Sequence, residues 1–482
     1  MNQDGHQGLR VRYLAGVVAA LSATVPLTAQ APPLDSLQRA SVVAGYHAAF
    51  LCSAVFVAGR DSASIAREEL SAALLDSPAD AATVVRPLRT GIDREARQTF
   101  SVPRYPDDPF FRGEPRRAVF REGRGCTLLP PGSSAAAAAR LPPVPGWSVP
   151  DVSRRLWPDG DRLPSTPFPP EVDSLRLARA VAGAFAGSRA SYQTLGVVIL
   201  YRGRIVAERY AAGWGVHTQY RTWSTAKSIS NALIGVLVGR GVLEVDAPAP
   251  IPEWRHPLDP RGAITLDHLL RMSSGLHSGG NQTPLGYWGG IDIAADAASA
   301  PLERAPGTRW KYSNYDTILL LRAARAVLGD EAYAAFPREA LLDRIGMYHT
   351  FPETDPFGNF ILSSQVYTTP RDLARFGLLY LNDGVWNGER ILPEGWVAYS
   401  TRQAPAQDPR SRPDGWGYGA QWWLLGTDSR VPRDAYTSAG RRGQFATVIP
   451  SRGVVVVRTG LDPEPSGWDQ AAFVARVLQA MR

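Results

Sequence analysis

The stretch Ser224-Thr225-Ala226-Lys227-Ser228-Ile229-Ser230-Asn231-Ala232-Leu233-Ile234-Gly235-Val236-Leu237 decides how this chain is read. Ile229, Leu233, Val236 and Leu237 recur at helical spacing and make one apolar stripe, and Gly241 supplies a stop, so the pattern predicts a helix opening at the serine. Ser224 and Lys227 stand three residues apart and share a face of that helix. A serine hydroxyl is a weak nucleophile until a neighbour accepts its proton. Lysine can be that neighbour once burial lowers its pKa, whereas a guanidinium stays protonated. Composition sharpens the point. Of 52 basic residues only Lys227 and Lys311 are lysines. A chain that writes arginine for nearly every cation keeps lysine beside a serine at a helix N-terminus, where backbone N–H groups favour developing negative charge. Taken alone, Ser-x-x-Lys is a weak signal, since a solvated helix start has the same pattern.

A second cluster, Tyr312-Ser313-Asn314, follows the Pro306-Gly307 turn and precedes an apolar helix expected over 318–328. In an extended segment, residues two apart face the same way, so Tyr312 and Asn314 are expected to point into one cleft. A phenol beside a lysine is a candidate general base, and the Asn314 amide can serve both a substrate carbonyl and the Lys227 amine. Packing of Tyr312 beneath the following helix is the competing reading. Lys311 reads as a solvated cation. A third cluster, Ser438-Ala439-Gly440-Arg441-Arg442-Gly443, comes after a short strand expected over 434–437. Its glycine lets a substrate lie along the strand, and a backbone N–H there can complete an oxyanion hole. Trp416, Tyr418, Trp422 and Trp423 crowd the stretch before it and are expected to wall the cleft, with core packing as the alternative for each.

In this order the three clusters resemble the serine β-lactamase and penicillin-binding-protein superfamily. Tyr-x-Asn in place of Ser-Asp-Asn resembles its class C branch, which also holds esterases, D-amino-acid peptidases and the nylon-oligomer (6-aminohexanoate-dimer) hydrolases. The stretches 266–276, 369–377 and 417–419 fit as well, and the likeness covers about residues 190–480. The resemblance implies an α+β fold of β-lactamase/DD-peptidase type: an antiparallel sheet flanked by helices, with an inserted helical domain and here an N-terminal appendage. It implies Ser224 as the acylated nucleophile and Lys227 with Tyr312 as the shared base. Asn314 becomes a substrate-amide contact, and the backbone N–H groups of Ser224 and Arg441 the oxyanion hole, with Ser438 and Gly440 on the same strand. No metal or cofactor is implied, and the partner is a small-molecule amide or ester. One departure matters. Members active on β-lactams open the third triplet with Lys or His, but here Ser438 stands in that place, so the cation is missing unless Arg441 or Arg442 reaches round. Linear amides or esters are therefore the expected substrates. A β-lactamase, a D-Ala-D-Ala peptidase or penicillin-binding protein, or a peptidoglycan sensor without turnover, is the alternative.

The remaining sequence is consistent with this. The 482 residues are 44% hydrophobic, 20% charged and 9% aromatic, too apolar and aromatic for a disordered chain. The net charge of +7 comes from dispersed arginines rather than a basic stripe, against nucleic-acid binding. Seven histidines lack His-Glu-x-x-His spacing, against a metalloprotease, and a Gly-x-Ser-x-Gly elbow is missing, against an α/β-hydrolase. Arg10 and Arg12, an apolar run from Tyr13 to Leu27 and small residues at Ala29 predict a signal peptide over 1–29. Export to the periplasm or medium follows, without stable membrane insertion after cleavage; an uncleaved anchor is the alternative. In an oxidising compartment Cys52 and Cys126 are expected to pair, with two buried thiols as the alternative. Residues 30–130 carry helical patches at 36–57 and 62–75 but no catalytic motif, and 131–170 is a Pro/Gly/Ala-rich linker or packed connection. The hydrolase domain is placed at 171–482. Strands at 196–201, 204–210, 447–450 and 454–459 enclose a helical middle, predicting one sheet built from both ends of that domain. Nothing in the sequence sets an oligomeric state.

Overall fold

Alanine, valine and aromatic side chains cover most of the circumference of helix α1 (Ser36–Cys52), and the fold buries it accordingly. The computed structural model describes residues 36–70, 89–103, 113–188, 190–279, 282–411 and 415–482. The expected signal segment 1–29 and the end of the 62–75 patch lie outside the described residues. One side of α1 packs on an antiparallel sheet of β1 (Arg89–Asp93), β2 (Gln98–Val102), β3 (Arg116–Arg121) and β4 (Gly125–Leu128). Its other side sets Tyr46 and Phe50 against Trp288. Leu37–Val57 has the length and apolarity of a membrane span, yet it is enclosed by the protein. Cys52 at the end of α1 is disulfide-bonded to Cys126 of β4, a sequence separation of 74. In the chain-entropy model such a closure is worth about 4 kcal/mol. Buried Glu353 ties the same junction, accepting from Ser53 Oγ at 2.6 Å and Cys126 N at 2.9 Å.

The stretch 131–170, which the composition suggests as a boundary, does not separate two cores. Val42, Tyr46 and Phe50 belong to one buried cluster with Val198, Leu233 and Phe376 of the hydrolase region. Prolines deprive the stretch of N–H donors for a ladder, so it docks by its carbonyls and indoles instead. Arg375 donates to the Pro158 and Gly160 carbonyls at 2.7 and 2.8 Å. The Trp157 indole donates to the Gly203 carbonyl at 2.8 Å, and the Arg338 guanidinium lies 3.2 Å over the Trp147 ring.

After helix α2 (Ser174–Ala184), capped by Asp173, come β5 (Thr194–Tyr201) and β6 (Arg204–Tyr210). The helical middle includes α3 (Ala226–Gly239), α4 (Asn314–Leu328) and α5 (Pro370–Leu381). The chain then returns to strands: β7 (Gly417–Tyr418), β8 (Trp423–Leu424), β9 (Tyr436–Gly440), β10 (Gln444–Ile449) and β11 (Val454–Gly460), followed by α6 (Gln470–Leu478). They form one seven-stranded antiparallel sheet, β7-β8-β9-β10-β11-β5-β6. Its early and late strands meet where Val454 pairs with Tyr201 and Val457 with Val198. Alternation explains the two covered faces. Val197, Ile199 and Val456 pack with Leu177, Phe473 and Val474 of α2 and α6. Val198, Leu200 and Val455 join Leu373 and Phe376 of α5 in the larger core. The architecture is the expected α+β one.

Several boundaries shift from expectation, β10 starting at Gln444 and β5 at Thr194, and two of the shifts bear on the site. Helix α4 begins at Asn314 because the Ser313 hydroxyl caps it, accepting from Asp316 N at 3.1 Å. The strand expected over 434–437 runs to Gly440, because Arg442 and Gly443, both with positive φ, make the turn into β10.

Candidate active site

The chain enters α3 through a single 3-10 turn, Trp223–Thr225, and Trp223 has φ +49°. That left-handed backbone costs a bulky residue about 1–2 kcal/mol, so something must hold it. The Arg221 guanidinium stacks 4.0 Å from the Trp223 ring, 4.9 Å from Phe50 and 4.6 Å from Trp288, and it donates to Ser364 Oγ at 3.0 Å. Through Phe50, α1 thus braces the residue beside Ser224.

Lys227 is 1% exposed. Three oxygens surround its Nζ: Asn314 Oδ1 at 2.6 Å, the Ser363 carbonyl at 2.8 Å and Ser224 Oγ at 3.2 Å. Burial lowers its pKa to about 7. A neutral amine has two N–H bonds and one lone pair. Asn314 Oδ1 and the Ser363 carbonyl can only accept, so they take the two N–H bonds. The lone pair is then left facing the Ser224 O–H. Asn314 Nδ2 donates to Thr283 Oγ1 at 2.9 Å, so this amide is turned to the lysine and Thr283 rather than offered to a substrate. Sequence reasoning missed Ser363 and Thr283. A backbone carbonyl leaves no side-chain signature, and a lone threonine carries none.

Tyr312 lines the cleft with Ser224. Its ring stacks on Trp423 with centroids 5.5 Å apart, and Lys227 Nζ lies 4.9 Å from its centroid. The residue faces the cleft as expected, and its packing is against Trp423 of β8 rather than beneath the following helix. Tyr312→Phe keeps the stacking and is expected to leave Tm unchanged while kcat falls by ~10²–10⁴-fold. A matching fall in Tm, measured on the same sample, would assign the tyrosine to packing instead.

Strand β9 lies against the Ser224 turn. A Cβ on Gly440 would come 2.1 Å from the Thr222 carbonyl oxygen and 3.1 Å from Thr225 N. The glycine therefore lets the strand touch the turn, which is a different need from clearance for a substrate. Ser438 does not make the substrate contact expected of it. It is 1% exposed, sits opposite Ala446, and its Oγ has no hydrogen-bond partner among the described residues. Strand alternation turns it away from the face that Ala439 presents to the cleft, which Gly440 and Arg441 also line at the strand's end. Arg441 lines the cleft beside Ser224, whereas Arg442 leaves it. Arg441 Nε faces Glu464 at 3.3 Å. Arg442 turns towards the N-terminal region, to Glu69 Oε2 at 2.9 Å and the Glu68 carbonyl at 3.0 Å.

The cleft holds about 710 Å³. Trp416, Trp423, Phe445 and Trp468 wall it, and its rim carries Arg430 paired with Asp428 and Asp469, both at 2.6 Å. Of the four aromatics expected there, Trp416 and Trp423 line it. Trp422 and Tyr418 are buried in the core, Trp422 stacked on Phe376.

The family model described as Beta-lactamase matches residues 181–478. The chain belongs to the Beta-lactamase family. This Beta-lactamase-family chain is 23% identical over 301 residues to the 6-aminohexanoate-dimer hydrolase of Paenarthrobacter ureafaciens, a match spanning 56% of this chain and 72% of that one. It is 35% identical over 116 residues to the esterase EstB of Burkholderia gladioli, covering 20% of this chain and 29% of the esterase. Among solved structures, EstCE1, described as a hydrolase with promiscuous acyltransferase activity, superposes with a TM-score of 0.52 at 16% identity. That match covers 64% of this chain and 98% of EstCE1, and it establishes likeness of fold. Helix α1, the β1–β4 sheet and the disulfide all precede the family match.

Proposed function

We propose that this Beta-lactamase-family protein is an exported serine hydrolase that cleaves small linear amides or esters through an acyl-enzyme on Ser224. The arrangement that carries the proposal is Lys227 Nζ, buried, with two obligate acceptors on its N–H bonds and its third neighbour the Ser224 hydroxyl. In this reaction Ser224 Oγ bonds to the substrate carbonyl carbon while its proton passes to Lys227 Nζ, with the Tyr312 hydroxyl sharing the transfer. The backbone N–H groups of Ser224 and Arg441 receive the oxyanion. The proton then goes to the departing amine or alkoxide. A water, deprotonated by the same pair, releases the acid and restores Ser224. The names of the two curated relatives, an amide-dimer hydrolase and an esterase, support this substrate class.

The cleft's charges favour neutral linear substrates. Arg430 and Arg441 face carboxylates, and the position that would carry a cation holds an inward-turned serine. Losing one charge-assisted bond to a substrate carboxylate costs about 1–3 kcal/mol, or roughly 5–150-fold in selectivity. The expected result is a higher kcat/KM for p-nitrophenyl butyrate than for nitrocefin on one preparation. Nitrocefin ahead by tenfold or more overturns the substrate class and makes Arg441 the first suspect for the missing cation.

A further inference from the structure

Away from the cleft, two histidines and an aspartate from three distant segments converge. Asp161 lies within the proline-rich stretch, His217 in the loop between β6 and the short strand Tyr220–Arg221, and His349 just before the short strand Phe351–Pro352. One ligand atom from each lies within 4.8 Å of the others. The imidazole centroids are 4.4 Å apart, and His217 Nε2 is 3.6 Å from Asp161 Oδ2. Four-coordinate zinc, with bonds of about 2.0 Å, sets its ligand atoms about 3.3 Å apart, so side-chain rotations alone can close this triangle. We propose that Asp161, His217 and His349 hold one divalent transition-metal ion of the zinc type, with water completing the shell.

The donor set suits that class: imidazole nitrogens and a single carboxylate favour Zn²⁺ over Ca²⁺ or Mg²⁺, which take oxygen shells. The two carboxylate oxygens have separate duties. Oδ1 accepts from Arg375 Nη2 at 3.2 Å, with Arg371 Nη1 at 3.7 Å, while Oδ2 faces His217. Both guanidiniums are matched by other carboxylates, Arg371 by Glu208 at 2.6 Å and Arg375 by Asp372 at 3.0 Å, so their charge does not fall on the site uncompensated. Arg375 holds the carboxylate and Arg371 donates to the Asp161 backbone carbonyl at 2.8 Å, fixing the residue as outer partners of a metal ligand do. Among the described residues no hydrogen bond occupies the ring nitrogens of His217 or His349.

The ion would be structural. Tyr220–Arg221 and Phe351–Pro352 both pair with Val366–Thr368, so two ligands enter one small sheet and the third belongs to the docked proline-rich stretch. Binding would staple that stretch to the sheet that leads into the Ser224 turn. The test uses the full mature chain stripped with a chelator and titrated with Zn²⁺ alone, reading stoichiometry by competition with a chromophoric chelator and Tm by calorimetry. One Zn²⁺ per chain with a raised Tm is expected. His217→Ala, a substitution at an exposed side chain, should weaken binding at least about tenfold and abolish the Tm rise. It should leave ester hydrolysis in chelator unchanged. A Co²⁺ form should show the visible d–d bands of a nitrogen–oxygen site, lost in the same variant. Absence of binding at about 100 µM Zn²⁺, or binding undiminished by His217→Ala, overturns the proposal.

Discussion

Lys227→Arg is expected to lower kcat/KM by more than ~10³-fold, about as much as Ser224→Ala, because members of one proton-transfer unit fail together. The substitution keeps the charge and adds bulk where Nζ already touches three oxygens. It also removes the lone pair, since a guanidinium does not deprotonate at working pH. Wild-type kcat/KM should climb with pH and level off above about 7, as the buried amine becomes neutral. Stability carries the same signature. The folded-state pKa of Lys227 lies below its unfolded value, so below about 7 both states are protonated and the cost of burying the charge is felt in full. Between about 7 and 10.5 the unfolded chain binds the proton that the folded one has shed, and this residue's contribution to stability rises with pH. Lys227→Met should accordingly be inactive yet at least as stable as wild type at neutral pH, by thermal melts alongside kinetics. An arginine variant that turns over at the wild-type rate would sink the lysine-base mechanism and leave the fold untouched.

Gly440→Ala is expected to lower kcat by ~10²–10³-fold, the loss seen when one oxyanion donor is displaced. The added methyl cannot coexist with the Thr222 carbonyl at 2.1 Å, and that neighbour is backbone, so β9 must move away from the Ser224 turn. Motion of even 1 Å separates the two N–H groups proposed to bind one oxygen. Gly183→Ala is the control. It lies in α2 with open space around its Cβ direction, and there the change should stabilise by about 0.5–1 kcal/mol without touching kcat. Full activity in Gly440→Ala would remove β9 from the site.

How much of this was legible in the sequence depended on the range over which each feature is encoded. Ser224 and Lys227 are three residues apart on one helix, so local periodicity brings them together. The core strands, rich in valine, announced themselves in the same way. Ser438 was misplaced because strand parity decides inside from outside, and nothing local marks which side of β9 faces the cleft. Trp422 and Trp423, adjacent in sequence, divide between core and cleft for the same reason. Helix α1 read as part of an appendage because apolar periodicity says that a face is buried without saying against what. Its aromatic partner Trp288 and the Arg442–Glu69 ion pair join segments far apart in the chain, and no spacing rule reaches that far.

The bracing of Trp223 by α1 also sets an order of events during synthesis. Phe50 leaves the ribosome early, Arg221 and Trp223 follow, and Trp288 comes later still. Strand β5 then waits for β11, made far later, before its second edge is covered. Contacts this distant in sequence make for slow, late assembly. The Gly440 strand is made only after Phe50, Arg221 and Trp288 are all in place, so the turn can be braced long before β9 lies against it. A polypeptide that stops short of β9 therefore carries Ser224 and Lys227 without the strand that lies against their turn.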